Sequence, residues 1–180
     1  NVYEGCFQYL QTAYQRSWGK HLFNIELNYT HDGDKQKEPT TARYKSEGKY
    51  ITAYNNSLLN NRLQSFVADL YYKCKFSDKQ SLAFNIVNTY SYSTVDNQIE
   101  QDGIISTSSF FSNHVESLIG NIAYELSLWG VKWSIGERSE YKNNRQHYLN
   151  DIYRSSCISN FAYLGLHKKI GRVTVYPTVG

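Results

Sequence analysis

The sequence predicts an all-β chain: an antiparallel, up-and-down transmembrane β-barrel of about eight strands, built as a segment of a larger barrel. Three observations lead there. Hydrophobic residues recur with a period of two over long stretches, the signature of strands with one apolar and one polar face. The connections between those stretches alternate between short and long. The three Trp residues gather at the short-connection end, beside an unusual 17 Tyr and 8 Phe.

The period is clearest from Ala68 to Tyr92. Ala68, Leu70, Tyr72, Cys74 and Phe76 share one face, while Asp69, Tyr71, Lys73 and Lys75 share the other. After Ser77-Asp78-Lys79-Gln80, the residues Leu82, Phe84, Ile86, Tyr90 and Tyr92 alternate with Ala83, Asn85, Val87, Thr89 and Ser91. Four polar residues between two such arms make a tight hairpin.

The other elements follow in order. Val2 to Arg16 reads as a strand with Tyr3, Phe7, Tyr9 and Ala13 on one side. His21 to His31 places Phe23, Ile25, Leu27 and Tyr29 opposite Asn24, Glu26 and Asn28. Arg62 leads into the hairpin just described. His114 to Leu128 aligns Leu118, Ile122, Tyr124, Leu126 and Leu128, and Val131 to Lys142 sets Val131, Trp133 and Ile135 opposite Lys132, Ser134, Arg138 and Glu140. Glu137 falls on the apolar side, so the apolar band is expected to end near Ile135. Ser156 to Lys168 carries Ala162, Leu164 and Leu166, and Arg172 to Gly180 begins an eighth, incomplete strand.

Short turns are expected near 17–20, 77–80, 129–130 and 169–171. Long polar loops are expected near 32–61, 93–113 and 143–155, with Tyr44 to Tyr54 in the first forming either a short hairpin around Gly48 or extended edges above the sheet. Ile104-Ile105 and Phe110-Phe111 fall in the second, as a candidate ligand or partner contact. Short turns at one end and long loops at the other is the arrangement of outer-membrane barrels.

Composition narrows the function classes. The chain has 180 residues, enough for one domain, and a net charge of +3. A balance that close, with no clustered basic stripe, gives no case for nucleic acid. No run of about 18 apolar residues exists, so no transmembrane helix is expected; a barrel strand needs only about 9–11 residues of alternating polarity. Cys6, Cys74 and Cys157 are odd in number and widely spaced, which suggests neither a disulfide framework nor a zinc site. The five His residues show no metal spacing, and HExxH, GxSxG and Walker sequences do not occur. No catalytic residue, metal or cofactor is therefore expected.

Side-chain alternation assigns the candidate surfaces. Leu70, Tyr72, Leu82, Phe84, Ile86, Leu118, Ile122, Leu126, Val131 and Trp133 form an outward band expected to face lipid. Trp18, Trp129 and Trp133 are expected at the water–lipid boundary, where amphipathic aromatics collect. Tyr71, Lys73, Glu125, Arg138 and Glu140 point to the opposite side, as candidate lumen or ligand contacts.

The stretch Phe76-Ser77-Asp78-Lys79-Gln80-Ser81-Leu82-Ala83-Phe84-Asn85-Ile86, ending in Tyr90-Ser91-Tyr92, resembles a strand–turn–strand unit of TonB-dependent outer-membrane receptors. It is most similar to the related barrel proteins of Bacteroidota-type bacteria. Leu126 to Trp133 and Leu164 to Arg172 resemble two more such hairpins. The resemblance implies residence in the outer membrane, contact with the lipid bilayer, the remainder of a barrel, a plug domain, TonB as partner and a nutrient solute. The alternative is a small self-contained barrel or a secreted β-sandwich with a structural or adhesive role.

Overall fold

The computed structural model describes residues 2–46, 48–101, 104–170, 173–175 and 178–179. Seven long strands follow one another: β1 (Val2–Trp18), β2 (His21–Ser46), β3 (Lys49–Ser77), β4 (Gln80–Gln101), β5 (Ile104–Leu128), β6 (Val131–Tyr148) and β7 (Asp151–Ile170). Two short pieces, β8 (Val173–Val175) and β9 (Thr178–Val179), both pair with β7. They stand where the incomplete eighth strand was expected. Each long strand pairs antiparallel with its neighbour in sequence, the up-and-down order.

The expected long loops are not loops. Residues 32–46 and 49–61 continue β2 and β3 as a paired ladder up to Ser46↔Lys49, and Gly48 has φ +79°. Residues 93–101 and 104–113 continue β4 and β5 up to Gln101↔Ile104, and residues 143–148 and 151–155 continue β6 and β7 up to Tyr148↔Asp151. Ile104, Ile105, Phe110 and Phe111 therefore belong to β5. The reason is that a ladder needs only backbone partners. Polar side chains on both faces weaken the period-two signal without removing the hydrogen bonds.

The short turns are minimal. Trp18 pairs with His21, Ser77 with Gln80 and Leu128 with Val131. Gly19, Trp129 and Gly130 have positive φ, at +55°, +52° and +71°. Positive φ matches the twist of the flanking strands in a two-residue hairpin; the Asp78-Lys79 turn lacks it and is accompanied instead by a register shift between Lys75 and Ser77. In the turn expected at 169–171, Lys169 and Ile170 pair with Thr174 and Val173, and Gly171 lies outside the described residues.

There is almost no core. Among the described residues only Ala53 is a buried hydrophobic, at 3% exposure, while Leu10, Phe66, Ile86, Leu118, Ile122 and Leu164 are all exposed. No second sheet covers either face among the described residues, which the sandwich alternative requires. Nor do the described residues close the sheet on themselves: β1 is exposed along its whole length and pairs with β2 alone.

Candidate functional site

The ladder register fixes which side chains share a face. Phe23, Tyr72, Phe84 and Ile122 are successive cross-strand partners, and so are Ile25, Leu70 and Ile86. Leu82 lies opposite Cys74 and Tyr124, and Leu126 opposite Trp133. Leu118 pairs with Tyr141, and Val131 closes the turn against Leu128. All ten residues of the outward band thus fall on one face.

Two aromatic groups bound that band. At the short-turn end Trp18 stacks on His21 at 5.5 Å, and the His21 ring nitrogen Nδ1 shares a hydrogen bond of 2.7 Å with the Tyr72 hydroxyl. Trp129 projects from its turn, 87% exposed, and Trp133 sits between Leu126 and Leu166. At the other end Tyr29, Phe66 and Tyr90 lie in one cross-strand row. Phe66 to Phe76 is about the length a membrane strand requires.

Three charged residues interrupt this face within the band: Arg16, paired with Phe23, Glu116, paired with Tyr90, and Glu137. Glu137 pairs with Ile122 and Ala162, and Tyr141 continues the apolar side beyond it, so the band does not end at Ile135. On β1 the outward residues from Leu10 onward are Leu10, Thr12, Tyr14, Arg16 and Trp18. Tyr9 instead turns to the polar side, where its hydroxyl is shared between Gln11 Oε1 and Asn28 Oδ1, each at 3.1 Å. Tyr3, Phe7 and Ala13 share that side with Tyr9, in register with Gln36, Asp32 and Glu26.

The polar face carries hydrogen-bonded networks. Glu125 is the hub of the largest. Its Oε2 accepts from Lys73 Nζ at 2.6 Å and from Ser81 Oγ at 2.9 Å, and its Oε1 accepts from Lys132 Nζ at 2.7 Å. Ser81 is 7% exposed. One carboxylate thus joins four strands: Lys73 on β3, Ser81 on β4, Glu125 on β5 and Lys132 on β6. Sequence reasoning found Lys73 and Glu125 but missed Ser81 and Lys132. Glu125 and Lys132 flank the Trp129-Gly130 turn, and hairpin pairing alone would have brought them diagonally together.

The remaining lumen candidates lie apart from that hub. Tyr71 lies beside Asn85, which donates from Nδ2 to Asp69 Oδ1 at 2.6 Å. Arg138 and Glu140 form a loose pair at 3.6 Å along β6. The Tyr163 hydroxyl donates to Asn121 Oδ1 at 3.3 Å. Among the described residues no three His, Cys, Asp or Glu side chains converge as a metal site. The three cysteines are free and lie on β1, β3 and β7.

No family model matches the chain, and no curated protein matches it in sequence. Solved structures do match it. The ferric yersiniabactin uptake receptor of Yersinia pestis superposes with a TM-score of 0.72 at 12% identity, over 98% of this chain and 28% of that one. The ferric preacinetobactin receptor of Acinetobacter baumannii gives 0.58 at 12%, over 98% and 30%. The alcaligin outer membrane receptor of Bordetella pertussis gives 0.56 at 11%, over 97% and 35%. The chain therefore spans about a third or less of each. It has the fold of a wall segment of a large transmembrane β-barrel.

Proposed function

We propose that this chain is part of the wall of an outer-membrane receptor that imports a nutrient with energy delivered through TonB. The observation that carries the reading is the two-faced ladder itself. One face bears an apolar band edged by aromatics, the other bears charged networks, and the strands run far past membrane length at one end only. Lipid suits the first face and a wet lumen the second.

In this reading Leu70, Tyr72, Leu82, Phe84, Ile86, Leu118, Ile122, Leu126, Val131 and Trp133 meet lipid. Trp18, Trp129 and Trp133 sit at the inner boundary. Tyr71, Lys73, Glu125, Arg138 and Glu140 line the lumen. The edge of β1 pairs with further barrel strands, because lipid cannot satisfy its backbone groups. A plug domain fills the lumen, and the extended hairpins beyond the membrane receive the solute. The wall itself is scaffold and passage, with no catalytic step. The names of the superposed receptors, which concern iron-carrying chelates in two of the three, favour a metal chelate as the solute. The Phe76 to Tyr92 hairpin favours a Bacteroidota-type source.

The test is fractionation of the native organism, with an antibody raised to this segment. The expected signal lies in the outer membrane at a mass several times the 20.9 kDa of this chain. A signal near that mass points to a small barrel and removes import; a soluble signal removes the membrane altogether.

A further inference from the structure

The outward face changes character where the apolar band ends. Three successive cross-strand rows cross β5, β6 and β7 there. Leu118, Tyr141 and Ile158 form the first, and all three are exposed. Glu116, Asn143 and Ser156 form the second, with side chains that exchange hydrogen bonds. His114, Arg145 and Arg154 form the third. Rows on one face of a sheet lie about 7 Å apart, so the order from the band outward is apolar, hydrogen-bonding, cationic.

The third row is unfavourable by itself. Arg145 and Arg154 are direct cross-strand partners, and like charges placed so destabilise a ladder. Among the described residues no ion pair engages either guanidinium. Glu116, one row nearer the band, is bonded to neither and offsets at most one of the two charges. His114 is held beside Arg145: its ring lies 4.9 Å from that of Tyr90, edge-on, and 5.3 Å from that of Tyr92. A phosphate between the two guanidiniums removes their repulsion. The planar fork of each suits it, because parallel N–H donors meet two phosphate oxygens at once.

We propose that Arg145 and Arg154 clamp the phosphate monoester of a membrane lipid headgroup, with its acyl chains lying along Leu118, Tyr141 and Ile158. The inference rests on the reading above that this face meets lipid. The three rows repeat the order of such a lipid: chains, polar linker, phosphate. A monoester carries about 1.5–2 negative charges at neutral pH and so matches two guanidiniums, which a singly charged diester does not. A free anion accounts for the arginines alone, without the apolar row aligned with them. A solute in the lumen meets the opposite face.

The test uses the full-length protein, extracted from the outer membrane in detergent, and native mass spectrometry with added dioleoyl lipids. Phosphatidic acid is expected to bind about thirtyfold more tightly than phosphatidylcholine, the scale of two basic residues at an anionic lipid, and more tightly than phosphatidylglycerol. R145Q/R154Q should abolish that preference, while K142Q, on the other face of β6, keeps it. The single variant R154Q should lose about fivefold, the share of one such residue. An unchanged preference in R145Q/R154Q or in R154Q overturns the proposal. So does displacement of phosphatidic acid by millimolar inorganic phosphate, which means a free-anion site. So does a photo-crosslinking phenylalanine at Ser156 that captures only protein in native membranes. Recovery from the outer membrane as one polypeptide several times the mass of this chain upholds the receptor reading whichever lipid binds.

Discussion

Tyr163 lies over Gly136. A Cβ placed on that glycine would come within 2.5 Å of the Tyr163 hydroxyl and 2.5 Å of the Ile122 carbonyl oxygen. An aromatic ring covering a strand glycine restores the side-chain contact the glycine lacks and fixes the register of the pair. The ring is flexible, but the Ile122 carbonyl is part of the β5 ladder and cannot yield cheaply. Gly136→Ala should therefore destabilise the assembled barrel by about 1–3 kcal/mol, the usual cost of overpacking. Urea unfolding of the full-length protein in lipid bilayers measures it. A change indistinguishable from zero would show that β5 and β6 can part at this point.

The strand faces were legible because alternation needs no partner: Leu70, Tyr72, Leu82, Phe84 and Ile86 declare their side in the sequence. The extent of the strands was not. Thr40, Asn55, Gln98 and Ser108 carry no apolar rhythm, yet all are ladder residues paired across hairpins. Polar composition was read as loop, whereas backbone pairing set the outcome. The Glu125 hub was half legible. Its bond to Lys132 follows from a two-residue turn, but its bond to Lys73 crosses β4 and needs the register of two ladders at once. Gly136 gave no signal in the sequence, since only that same register brings Tyr163 over it.

The two faces should respond oppositely to charge. Ile86→Arg adds a cation in the middle of the apolar band and should cost about 2–4 kcal/mol in a bilayer. Val87→Arg, one residue along on the polar face beside Asp69, should cost well under half as much. Equilibrium unfolding of both variants in the same bilayer decides the matter. Equal penalties would mean that both faces meet the same solvent, which sinks the barrel assignment.

The Glu125 hub should act as a unit. Removing Glu125 alone leaves Lys73 and Lys132 facing one another without their shared anion. A double-mutant cycle of Lys73→Ala and Glu125→Ala should give a coupling of about 1 kcal/mol, limited by the water that reaches both side chains. Raising salt from 0.05 to about 0.5 M shortens the screening length to a few ångströms, and the coupling should shrink with it. A coupling near zero at low salt would reduce the close contact of 2.6 Å to mere proximity.

Leu149 turns the β6–β7 hairpin with φ +53°, and its amide donates to the Phe110 carbonyl at 3.2 Å. A γ-branched side chain in the left-handed region costs about 1–2 kcal/mol, a cost glycine avoids. Leu149 is exposed, so little packing is lost when the side chain is removed. Leu149→Gly should therefore leave the hairpin as stable or raise its stability by up to about 1 kcal/mol, after the greater chain entropy of glycine is set against the relief. Amide exchange at Tyr148 and Asp151, which flank the turn, reports the change locally. Faster exchange in the glycine variant would mean that the Leu149 side chain makes a contact worth more than its strain.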